Sequence, residues 1–323
     1  IAALLEALRS VRTRVQQRPL YRPFRELAGW LYLQTGRYDQ AFQTFQAIDR
    51  LEQEEGRVVY EFAEKAASAG AFAASRRAFQ HILDRYPRGP VAPDATLGLA
   101  DLNRRRARSD SLSAAPDSSR SHLDRARIAY RQFVEQHPRH PRHPYALFQL
   151  GQLELEVYDR PEQAKRRFRQ IIRQYPDTPE AHRALLERGR VYLREGDISA
   201  ARQAFAHVED TVQSGPVGTQ AQFELALLEF YEGHLRSAKT RARLLGNDAS
   251  EDIANDAIEL QVLISENRGP DSLDRPLKTF ARARLDARQN DASGAVRRLD
   301  SLLAQHPGHG LVDEALFLKG DLL

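Results

Sequence analysis

The chain has 323 residues, with 48 lysines and arginines against 44 acids and a pI near 9.3. A net charge of +4 with acids and bases interspersed does not demand a nucleic acid as partner. The absence of cysteine excludes disulfides, thiolate metal sites and a cysteine nucleophile, and no run of 18 apolar residues is present to span a membrane.

Ile1, Leu4, Leu5 and Leu8 stand in helical phase from the first residue, so a start codon, signal peptide or lipid anchor would lie outside these residues. The first 35 residues read as a leading helix and then a helix over Phe24 to Gln34 that holds Trp30. Two units follow at close to a 34-residue spacing, judged by Ala41 and Ser75. After a helix around Leu97 to Leu102, residues 104–121 are polar and serine-rich, which predicts a mobile loop insertion. It would explain the 51 residues between Ser75 and Ala126.

Farther on, Ala164, Phe168, Ile171, Ile172 and Tyr175 form one apolar stripe of helical period, which Pro176 ends. Thr178 before Pro179 is an N-cap followed by proline at the first helical position, so a second helix starts there and carries Leu185, Gly189 and Tyr192. Beyond the turn at Gly196 and Asp197, Ala201 and Phe205 repeat Ala164 and Phe168 after 37 residues. The units anchored at Ala126, Ala164, Ala201 and Ala238 stand at spacings of 38, 37 and 37. From Ala238 to Ala295 the spacing is 57, with apolar-patterned segments at Ile253 to Ile264 and Leu277 to Leu285 on either side of Gly269-Pro270. Residues 251–289 are therefore expected to form an atypical unit with an extra helix, and Val312 to Leu323 the first helix of a further repeat.

The internal offsets recur along the chain. A turn residue stands five positions before a small residue, with an aromatic or apolar residue four after it. The sets are Gly36/Ala41/Phe45, Gly70/Ser75/Phe79, Ser121/Ala126/Tyr130, Asp159/Ala164/Phe168, Gly196/Ala201/Phe205 and Asn290/Ala295/Leu299, with Gly233/Ala238 and a weaker Ala242. Proline follows the anchor by twelve at Pro87, Pro138, Pro176 and Pro307, and small residues precede it by twelve at Gly29, Ala63, Gly189, Ala226 and Ala283.

This pattern resembles the tetratricopeptide repeat. More narrowly, it resembles the longer bacterial type of cell-envelope proteins such as the outer-membrane assembly lipoprotein BamD and the TolA-binding periplasmic protein. The phrases that carry the resemblance are Tyr175-Pro-Asp-Thr-Pro-Glu-Ala, His137-Pro-Arg-His-Pro-Arg-His-Pro-Tyr-Ala, Tyr86-Pro-Arg-Gly-Pro and His306-Pro-Gly-His-Gly. It implies an all-α fold: a right-handed superhelical α-solenoid of about seven helix pairs plus partial flanking helices, continuous over 1–323.

Motifs of catalysis are missing. There is no glycine-rich phosphate loop, His-Glu-x-x-His, Gly-x-Ser-x-Gly or calcium loop, so neither an enzyme nor a cofactor is expected. His137, His140 and His143 are the nearest approach to a metal cluster, but intervening prolines and a spacing of three read as an inter-repeat turn. Arg104, Arg105, Arg106 and Arg108 form the densest basic run, which could hold phosphate or acidic lipid and reads more simply as a solvated helix end.

Function must then come from surface shape. The resemblance implies that the first helix of each pair lines a concave groove, with groove-facing positions about 15, 11 and 7 residues before the small anchor. Those positions are Trp30, Tyr60, Arg190, Arg194, Phe223, Tyr231, Arg284 and Arg288, with Tyr145 and Phe148 after one extra turn residue. Aromatics and arginines dominate binding hot spots, so the expected function is a non-enzymatic scaffold holding a partner protein or peptide. The resemblance places it in the periplasm or at the outer membrane, the cytoplasm being the alternative. RNA binding by the repeat array is the second reading, disfavoured because these positions mix Trp, Tyr, Phe and Arg rather than repeating polar base readers. A third is the regulatory or positioning region of a larger enzyme.

Overall fold

A computed structural model describes residues 18–112, 116–212, 215–248, 251–268 and 274–323, and sixteen α-helices with no strand make up those residues. The leading helix expected before residue 18 lies outside them. The chain divides into two compact units, one up to Asp159 and one from Arg160. The first holds α1 (Arg18–Gln34), α2 (Tyr38–Glu52), α3 (Arg57–Ser68), α4 (Phe72–Arg85), α5 (Ala92–Leu112), α6 (Pro116–Gln136) and α7 (His143–Glu156). The second holds α8 (Pro161–Gln174), α9 (Pro179–Arg194), α10 (Ile198–Thr211), α11 (Pro216–Tyr231), α12 (Leu235–Asp248), α13 (Glu251–Glu266), α14 (Arg275–Arg288), α15 (Ala292–Gln305) and α16 (Val312–Leu322).

Helices pack as hairpins: α1 on α2, α3 on α4 and α5 on α6 in the first unit, and α9 on α10, α11 on α12 and α14 on α15 in the second. First helices also touch one another, α3 against α5 and α9 against α11, with α11 against α14 and α14 against α16. They make one face of each unit. α13 packs on α12 between two hairpins.

The anchors explain why the hairpins form. Ala41, Ser75, Ala126, Ala164, Ala201, Ala238 and Ala295 are wholly buried. Six of the residues five positions earlier, Gly36, Gly70, Asp159, Gly196, Gly233 and Asn290, have left-handed backbone, the conformation that closes one helix and turns the chain into the next. Glycine reaches it without steric cost, and Asn and Asp tolerate it. The small residue twelve before an anchor admits an aromatic from the partner helix: a Cβ on Gly189 would stand 2.5 Å from the Phe205 ring. Thr178 Oγ1 accepts from Ala181 N at 3.3 Å, the N-cap expected from Thr178-Pro179, and Asp197 and Asp291 cap α10 and α15 likewise.

The loop expected over 104–121 is corrected for its described residues, 113–115 lying outside them. Residues 104–112 continue α5 and 116–121 open α6, so both helices run to 21 residues. Their added turns zip together through polar groups. Asp110 is buried and accepts from Ser118 Oγ at 2.6 Å, Arg106 pairs with it at 3.1 Å, and Ser119 Oγ donates to Ala107 O at 2.9 Å. Consequently Ser121 sits inside α6 and is not a turn residue.

Candidate functional site

In the second unit the first-helix face centres on Glu224 of α11, which is 2% exposed. A buried carboxylate is tolerated only when paired and hydrogen-bonded. Arg190 Nε of α9 donates to Oε1 at 2.9 Å and Arg288 Nη2 of α14 donates to Oε2 at 2.9 Å, while Arg190 Nη1 also meets Glu187 at 2.7 Å. One acid thus ties three first helices together. Burial opposes the charge on Arg190, but Glu187 and Glu224 outweigh it and hold its pKa above the ordinary arginine value. With its amide oxygen turned toward Arg194, Asn290 accepts from Nη2 at 2.8 Å and Nε at 2.6 Å. Arg284 lies 6.0 Å from the Phe230 ring centre.

The first unit has its own cluster on the same kind of face. Asp101 of α5 accepts from Tyr130 Oη at 2.5 Å, Tyr145 Oη at 2.9 Å and Arg142 Nη2 at 3.3 Å. Arg142 also donates to Tyr60 Oη at 3.4 Å and stands 5.1 Å from the Tyr145 ring centre. Burial pushes the Tyr60 and Tyr145 hydroxyls up to about 12, so both keep their protons at neutral pH.

Of the expected contact residues, Arg190 and Arg288 meet at Glu224 in the second unit, Arg194 pairs with Asn290 and Arg284 lies over Phe230, while in the first unit Arg142 joins Tyr60 and Tyr145. Trp30 is 46% exposed on α1. Phe148, Phe223 and Tyr231 are buried at 4%, 8% and 3% exposure, and their place among contact residues is corrected. Phe223 and Tyr231 belong to the packed core of the second unit. Glu224, Asp101 and Arg142 escaped the sequence reading. A lone acid inside the apolar run Phe223 to Leu228 was the available signal, since such a residue needs buried partners.

The histidine segment is a turn. His137 and His140 pack on Phe133 with ring centres at 5.3 and 5.2 Å, and His140 Nδ1 accepts from Arg142 N at 3.2 Å. His309 Nδ1 accepts from Leu311 N at 3.2 Å in the matching turn before α16. Among the described residues no three His, Asp or Glu side chains gather as metal ligands, and no helix is long and apolar enough to cross a membrane.

This architecture defines a helical-repeat protein, and models of the tetratricopeptide repeat match residues 25–55 and 159–216. Its helices pack pairwise in the manner of tetratricopeptide repeats. Residues 52–187 match the model of the outer membrane lipoprotein family YfiO. Among solved structures, a tetratricopeptide repeat protein from Parabacteroides merdae is similar at a TM-score of 0.51 and 15% identity, over 82% of this chain and 99% of that one. PilW, a widely conserved type IV pilus biogenesis factor, is similar at a TM-score of 0.42 and 14% identity, over 81% of this chain and 98% of that one. No curated protein matches the chain.

Proposed function

We propose that this protein is a non-enzymatic scaffold of the bacterial cell envelope that holds a segment of a partner protein against its first-helix face. The observation that carries the reading is the match of residues 52–187 to an outer membrane lipoprotein family within a tetratricopeptide architecture. Half-buried arginines on rigid helices support it. Arg190 and Arg288 are fixed by Glu224, so they lose little side-chain entropy when a partner arrives. The same family match supports a place in the periplasm or at the outer membrane.

Affinity purification of the tagged full-length protein from separated soluble and envelope fractions, with mass spectrometry of co-purifying proteins, tests both place and partner. Recovery from the envelope with one or two stoichiometric proteins is expected. Recovery from the cytoplasm with RNA or ribosomal proteins would overturn the reading.

A further inference from the structure

A cavity of about 520 Å³ opens between α5, α6 and α7, within the size range of ligand sites. Its charged wall is Arg104, Arg105 and Arg108 of α5, and Ser119, Tyr145 and Gln149 add hydrogen-bonding groups. Asp101, the carboxylate among the lining residues, already accepts from two tyrosines and Arg142. Arg104 donates to Gln152 at 3.1 Å. Arg105 and Arg108 are exposed and have no acidic partner among the described residues. Spaced i, i+3, they stand one turn apart on the same side of α5. That turn belongs to the added length of α5 and α6, so the insertion that breaks the repeat period also builds the cavity wall.

We propose that this cavity takes an acidic segment of the partner protein, with two carboxylate side chains pairing with Arg105 and Arg108. The inference rests on the scaffold reading for the occupant being a protein. Two observations favour it: the cationic surplus of the lining, and continuity with the first-helix face through Asp101 and Tyr145. Guanidinium groups pair with carboxylates through parallel N–H···O bonds, and the Tyr145, Gln149 and Ser119 groups suit the polar backbone of an extended segment.

Fluorescein-labelled hexaglutamate titrated into the full chain at low salt, followed by anisotropy, tests this. Saturable binding is expected, weakened about tenfold in R105A/R108A. It should be nearly unchanged in R166A/R169A, which removes the same charge and i, i+3 spacing from α8. Should the alanine pair melt early, R105Q/R108Q keeps most of the side-chain stems and is expected to show the same loss. Absence of saturable binding, equal loss in the α8 control, or binding of phosphatidylglycerol vesicles without hexaglutamate binding would overturn the proposal. If hexaglutamate fails while envelope purification yields a partner, only this inference falls. If it binds while purification finds no envelope partner, the scaffold reading falls instead.

Discussion

Ser75 occupies an anchor position where the other six units carry alanine, and its buried hydroxyl has no hydrogen-bond partner among the described residues. Burying an unsatisfied hydroxyl is costly, so Ser75→Ala should raise stability by about 1 kcal/mol in urea titrations. A lower midpoint with an unchanged slope would contradict it. Two glycines separate backbone strain from packing. Gly70 has φ +75° with open space where a Cβ would stand, so Gly70→Ala should cost about 1–2 kcal/mol through backbone alone. Gly189 lacks that strain, but its added methyl meets Phe205, and Gly189→Ala should cost about 1–3 kcal/mol through overpacking. Adding Phe205→Leu is expected to relieve part of the second loss and none of the first.

Among the elements, those with a repeating local cause were legible in the sequence. The turn residue, the anchor and the aromatic after it act within one hairpin, so their offsets survive from unit to unit and fix where helices end. The polar composition of residues 104–112 and 116–121 suggests a loop, whereas their arginines and alanines favour the helix that forms. The partners that hold the added turns, Asp110 with Ser118 and Arg106, have no counterpart in other units. Asp110→Ala should therefore speed amide hydrogen exchange across 104–121 while leaving α9 to α11 unchanged. Uniform change, or none, would count against this latch. Glu224 and Asp101 were hidden for a related reason: each joins helices far apart in sequence, and no local spacing records that.

For the molecule as a whole, both pH dependence and binding follow from these placements. Burial holds His81, His122, His137 and His143 below the ordinary histidine value of 6.5. Below 6.5 the unfolded chain takes up protons that the folded chain resists. The stability tied to these groups is full above 6.5 and lost as pH falls through their lower folded values. Melting at pH 5.5 should accordingly come at a lower temperature than at pH 7.5, and an unchanged or higher value would show that the histidines are not held neutral. The most direct measurement is photo-crosslinking in cells from a benzoylphenylalanine placed at one position at a time. Trp30 and Arg284 are the proposed contact positions on first helices of the two units, and Gln80 and Arg243 are exposed second-helix positions. Crosslinks to the same envelope protein from Trp30 and Arg284, with none from Gln80 or Arg243, are the expected result. Crosslinks confined to the second helices would contradict a partner held on the first-helix face.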